Sequence, residues 1–158
     1  MTHTAKKKAL AVVVAAAVTL TGFAIAQAAT PAETIKLRQQ DLKSLGAAVK
    51  LIRDELKGPS PDAGKITTAA AEIKKAAAGL PDWFPAGTDA SVGVKTAAKP
   101  QIWSDPAGFK SAADAFVEQA AKFVPLAESG DVAAVASGFK PFTQSCGGCH
   151  DKYRVKQD

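Results

Sequence analysis

Apolar side chains return at intervals of three or four along four stretches of this chain, a rhythm that gathers them on one side of a helix each time. In the first stretch Ile35, Leu42, Val49 and Leu56 form one line, and Leu45 and Ile52 a second. A period of 3.5 held over most of four heptads predicts packing against neighbouring helices at a shallow angle. Arg38 occupies the remaining seam position of the second line. An arginine there either snorkels out of a helix end or is aimed at a buried anion, which its planar fork would grip at two points. Thr30-Pro31-Ala32-Glu33 reads as a capping box with proline at the first helical position, and Gly58-Pro59 ends the helix after Lys57.

Ile66, Ala70, Ile73 and Ala77 mark a second helix over Asp62 to Ala78, so thin in large apolar groups that its neighbours must come close; Gly79-Leu80-Pro81 stops it. A third helix opens at Ser104 or Asp105 with Pro106 next, and its Phe109, Ala113, Phe116, Ala120 and Phe123 form a continuous core stripe. Pro125 should kink its last turn without abolishing it. Ser129-Gly130-Asp131 turns the chain, and Asp131 caps a fourth helix carrying Val132, Val135 and Phe139, bending near Pro141 and presenting Cys146, Cys149, His150 and Tyr153 in one stripe. The tail from Arg154 to Asp158 is polar and reads as frayed. Arg154 is either a solvated cation favourable to the helix dipole or a group acting near His150. Between the second and third helices, Pro81 to Trp103 is longer than a plain connection within a compact domain, which marks it as functional or as a crossover. Trp83, Phe84 and Trp103 read as plugs that fold this segment onto the core. The pattern is all-α, a bundle of four helices.

Composition changes this picture at the N-terminus. Lys6, Lys7 and Lys8 precede an apolar run from Ala9 to Ala26, and Ala26-Gln27-Ala28 has the small residues of a cleavage site. Residues 1–28 are therefore expected to be a cleaved signal peptide and residues 29–158 the mature domain. An uncleaved anchor is the competing reading, disfavoured by the alanine-rich, threonine-interrupted run. Cleavage would leave 17 Lys+Arg against 15 Asp+Glu, a formal charge of +2 in place of +5. No basic tail or aromatic-interleaved patch then points to nucleic acid. Met1 and His3 leave with the signal, so the mature chain would hold no methionine and one histidine.

That histidine closes the most informative stretch, Cys146-Gly147-Gly148-Cys149-His150, which contains the only two cysteines. On a helix, positions i, i+3 and i+4 share a face. Two thioethers can clasp the vinyl edges of a porphyrin there while the imidazole reaches the iron, the pattern of c-type haem attachment. A redox dithiol would want a strand-then-helix context, a closed zinc site about four ligands where the processed chain supplies three, and a disulfide leaves His150 without a role. The expected cofactor is one covalent haem c, held by Cys146 and Cys149 with His150 axial to the iron. Arg38 then has a candidate anion in a haem propionate, and Gly46 would allow close approach of another backbone or of the porphyrin. Attachment outside the cytoplasm fits an exported, periplasmic protein.

The chain resembles the cytochrome c′ family, the class II c-type cytochromes of the bacterial periplasm. The resemblance rests on Cys146 to Arg154, on Arg38-Gln39 followed by Leu42, on Phe84-Pro85-Ala86-Gly87-Thr88 and on Lys99-Pro100-Gln101-Ile102-Trp103, and it covers essentially all of the mature chain. It implies an antiparallel up-down-up-down bundle, a homodimer through the first two helices, and haem at one end, with Arg38, Gln39, Leu42, Trp83, Phe84, Tyr153 and Arg154 around it. In low-spin members a methionine four residues after the arginine binds the iron; here that position is Leu42, which has no lone pair to give. A five-coordinate, high-spin haem follows as the expectation, with nitric oxide and carbon monoxide as ligands and no enzymatic activity. A lysine or water ligand, a six-coordinate electron carrier with an unidentified redox partner, and a peroxidase using Arg38 are the alternatives.

Overall fold

The computed structural model describes residues 29–156; the expected signal peptide, residues 1–28, lies outside them. Four long helices account for most of the described chain: α1 (Pro31–Lys57), α2 (Ala63–Gly79), α4 (Pro106–Glu128) and α5 (Val132–Tyr153). A single-turn helix, α3 (Gln101–Ser104), precedes α4, and two 3-10 turns, Leu80–Asp82 and Ala90–Val92, punctuate the long connection. The helix starts are set locally. Thr30 and Glu33 form the predicted capping box, and Asp62, Asp105 and Asp131 each accept a backbone N–H at the start of α2, α4 and α5. Gly58 ends α1 in an extended conformation, as a residue before proline must. Both internal prolines, Pro125 in α4 and Pro141 in α5, are passed without ending the helix. Among the described residues no helix is long and apolar enough to cross a membrane.

The short turns make sequential neighbours antiparallel, α1 on α2 and α4 on α5, and α2 closes the bundle against α4. The main core lies where these meet: Leu45 and Ile52 of α1, Ile66 and Ile73 of α2, Phe116 and Phe123 of α4, Val135 and Phe142 of α5. Phe123 and Phe142 stack with ring centres 4.7 Å apart. Each such side chain taken fully out of water contributes about 1.5–3 kcal/mol, which is what holds the alanine-rich α2 in place. Ala69, Ala70 and Ala76 let the backbones approach, and all three are buried. The α1 seam divides. Ile35, Leu45 and Ile52 are buried in the protein, whereas Leu42 and Val49 are only partly buried and turn towards a cavity. Along that side α1 and α5 meet at few points.

The connection forms a strap across one end of the bundle. Gln39 of α1 donates to the Lys95 carbonyl (2.8 Å), the Lys99 N–H donates to the Tyr153 carbonyl (2.9 Å), and the Val155 N–H donates to the Ala97 carbonyl (2.8 Å). Ala98 and Arg154 thus pair as an antiparallel bridge. This corrects the expectation of a frayed tail: Arg154 and Val155 are hydrogen-bonded because Ala97–Lys99 offers them an extended edge.

Candidate functional site

A cavity of about 1150 Å³ opens between α1, α5, the strap and α4. Nine of the ten residues expected around a haem line it: Arg38, Gln39, Leu42, Phe84, Cys146, Cys149, His150, Tyr153 and Arg154. The exception is Trp83. The 3-10 turn Leu80–Asp82 swings its indole back over Gly79, where an added Cβ would lie 2.7 Å from Nε1, and the ring packs against the main core. Trp83 is therefore a plug, and of these two neighbours it is Phe84 that faces the cavity.

The α5 wall carries the attachment motif. Cys146 and Cys149 are half-buried and free, with no disulfide between them. Burial pushes both thiols up from their ordinary value, the opposite of what a reactive thiolate or metal-binding pair requires. Sulfurs whose charged form is disfavoured suit neutral thioethers. Burial, with a smaller push from Arg154, lowers the His150 imidazole. It is therefore neutral, with a lone pair available, at physiological pH. Among the described residues no group of three or more His, Cys, Asp or Glu converges as a metal cage. Gly46 sits on the α1 wall with nothing within 4 Å of where a Cβ would stand. The open space beside it faces the cavity, and no neighbouring backbone approaches.

The last turn of α5 is anchored from the start of α4. Tyr153 is buried, its ring edge-on to Phe109 at 5.3 Å, and its hydroxyl donates to Asp105 Oδ2 at 3.2 Å. Lys152 Nζ donates to the same oxygen at 2.8 Å, while Asp105 Oδ1 caps α4 through the Gly108 N–H. The sequence offered Asp105, beside Ser104, as a helix cap; its second set of partners, 47 and 48 residues away, left no local sign.

Arg38 is buried, with 2% of its surface exposed, which excludes snorkelling. Among the described residues its guanidinium reaches no carboxylate. Nη1 donates to Thr88 Oγ1 and Nη2 to the Thr88 carbonyl, both at 2.8 Å, with Thr96 Oγ1 further off at 3.4 Å. It also lies over the ring of Phe84, 4.7 Å from its centre, and 5.6 Å from that of Trp103. Thr88 in turn donates to the Pro85 carbonyl, and Trp103 Nε1 donates to the carbonyls of Phe84 and Pro85. The arginine is thus the pin of the connection, holding Phe84 at the cavity wall. Desolvation lowers its pKa, and the neighbouring Asp89 opposes that shift; the group stays charged.

An all-α bundle with a C-x-x-C-H segment on the wall of an apolar cavity defines a c-type haem protein of the four-helix kind. The sequence profile described as Cytochrome C′ matches residues 33–154, and the chain belongs to the cytochrome c′ family. It is 34% identical over 132 residues to cytochrome c′ of Alcaligenes xylosoxydans xylosoxydans, an alignment covering 83% of this chain and 100% of the relative. Among solved structures, a cytochrome c′ with an unusual ligand-controlled dimer dissociation superposes with TM-score 0.76 at 31% identity, covering 82% of this chain and 100% of the other. A nitric oxide complex of a leucine-to-alanine variant of cytochrome c prime from Alcaligenes xylosoxidans superposes with TM-score 0.72 at 30% identity, covering 83% and 100%. Proteins of this family carry haem c covalently, and the two free cysteines beside the cavity match that cofactor.

Proposed function

We propose that this protein is a periplasmic gas-binding cytochrome whose haem iron keeps one axial position open. Cys146 and Cys149 would hold the haem through thioethers and His150 would bind the iron. The haem, when bound, supplies an iron that takes a diatomic ligand and changes oxidation state by one electron. The carrying observation is the makeup of the facing wall: Leu42 and Val49 line it, neither has a donor atom, and residues 29–158 contain no methionine and no second histidine. Apolar side chains exclude water and offer no hydrogen bond to a bound ligand. Dioxygen, polar once bound, gains little there; nitric oxide and carbon monoxide need less help. The nitric oxide complex formed by a relative supports this reading.

Arg38 is engaged in structure in this reading, with Nη1 and Nη2 each donating to Thr88, and not as the distal acid or base a peroxidase would want. The reading is accordingly of a binding and redox protein and not of an enzyme. The lysines at 6–8, the apolar run to Ala26 and the small residues at Ala26 and Ala28 support export, with haem attached outside the cytoplasm. Leu37 and Leu51, 55% and 37% exposed, lie 14 positions apart on one side of α1. With a relative noted for ligand-controlled dimer dissociation, they support a homodimer through α1 and α2. The test is the absorption spectrum of the purified protein, oxidised, reduced, and reduced with nitric oxide. High-spin bands that shift with the gas are expected; a methionine-type or other six-coordinate low-spin spectrum would sink the open-site reading in favour of an electron carrier.

A further inference from the structure

The cavity rim carries Lys43, Lys50 and Arg53 from α1, Lys95 from the strap and Arg154 from the end of α5, and among the described residues no carboxylate lines it. The three α1 cations, spaced 7 and 3 residues apart, fall on one stripe. The other charges of α1 explain the imbalance. Asp41 is drawn to Lys75 and Glu55 to Lys65, both on α2, while Glu33 is used by Thr30. Only Asp54 remains near the stripe, against Lys50 and, at 3.9 Å, Arg53. Lys43, Lys95 and Arg154 form no ion pair among the described residues, and all three are exposed. Elsewhere lysines are matched, as in Lys74 with Glu128, Lys110 with Asp114 and Lys122 with Glu118. Within this rim stands Val155, 47% exposed. An apolar contact ringed by like charges has the layout of a docking patch, with a dry centre and a charged margin.

We propose that the cavity mouth docks an acidic electron-transfer protein. This rests on the reading that haem c fills the cavity. The two propionates of a haem would neutralise two of the five cations and Asp54 a third, so a positive surplus remains where an electron would enter or leave. Rim charges of one sign beside a low-dielectric wall steer an oppositely charged partner and speed its association by about 10–10³-fold at low salt.

The experiment uses the haem-loaded protein and measures its oxidation by hexacyanoferrate(III), an anion, and by a cationic cobalt complex. A carboxylate-rich flavodoxin, reduced, serves as protein donor. Ionic strength runs from about 0.01 to 0.15 M, over which the Debye length falls from about 30 to about 8 Å. The anionic probe and the flavodoxin should slow about tenfold, while the cationic probe should not slow. The Lys43→Glu/Lys95→Glu variant should lose or reverse that dependence, whereas Lys122→Glu, at a remote pair, should keep it. Equal salt dependence in all three proteins, each with a normal haem spectrum, overturns the docking surface alone. Salt-dependent capture by anionic phosphatidylglycerol vesicles with no effect on the flavodoxin reaction overturns the choice of partner. A haem-free product overturns the reading beneath it as well.

Discussion

Thr88→Val is the sharpest probe of the buried arginine. Valine replaces the hydroxyl with a methyl of similar size, so no cavity forms at this buried position, 3% exposed. Two interactions disappear: the 2.8 Å bond from Arg38 Nη1 and the 2.7 Å bond donated to the Pro85 carbonyl. A hydrogen bond to a charged group contributes about 1.5–3 kcal/mol and a neutral one about 1. Nη2 keeps the Thr88 backbone carbonyl, which retains part of the clasp, so the net loss should be about 2–3 kcal/mol. For a domain of this size roughly 3–5 °C of melting temperature goes with each kcal/mol, giving a fall of about 6–15 °C. Calorimetry of the haem-loaded protein reads it, with hydrogen exchange at residues 84–96 showing whether the connection loosens first. Thr96→Val removes the 3.4 Å contact and the 3.2 Å bond that Thr96 Oγ1 accepts from the Ala98 N–H, together about 1 kcal/mol, and should shift the midpoint by no more than about 5 °C. If Thr88→Val melted within about 2 °C of the parent, Arg38 would not be what holds the connection down.

Leu42→Ala should widen the facing wall and speed carbon monoxide binding, read by flash photolysis; an unchanged rate would mean Leu42 does not guard the iron. His150→Ala should abolish the parent oxidised and reduced spectra, and their survival would contradict its role as axial ligand. Asp105→Ala removes the acceptor shared by Lys152 and Tyr153 along with the α4 cap, and helix caps alone contribute about 1 kcal/mol; hydrogen exchange should rise at Tyr153 and Arg154 more than at mid-bundle Phe123. For pH, Glu55 is held below its ordinary pKa by the Asp62 N–H and then by Lys65. Its contribution is therefore full above the unfolded carboxylate pKa, about 4.3, and is lost as pH falls through the lower folded value. Glu55→Gln should leave a shallower loss of stability on acidification, measured by denaturant midpoints at successive pH values.

What could be read from the sequence was whatever the chain decides within a few residues. Thr30 to Glu33 and Asp131 act on their own next turn and capped the helices assigned to them, Asp105 is the one of the pair Ser104 and Asp105 that caps α4, and Asp62, given only as the start of the second helix, is its cap. Cys146, Cys149 and His150 share a face because a helix forces it. Period alone could not divide the α1 heptad into a core line and a cavity line, since both look alike until a second helix is placed. Arg38 was recognised as out of place, but its partner Thr88 is 50 residues away and uncharged, so no sequence rule pairs them. Trp83 and Phe84, adjacent and both aromatic, went to different surroundings because a 3-10 turn before them fixes which ring faces in. The extended pairing of Ala97 with Val155 carried no alternating pattern in either segment.

That pairing bears on the order of assembly. The hairpins α1–α2 and α4–α5 close through short turns, at little entropic expense. The bridge between Ala98 and Arg154 joins positions 56 apart and rewards the chain only once both hairpins exist. The final turn of α5 is then the last part of the bundle to lock. A strap that serves the finished protein as a brace serves the nascent one as a delay.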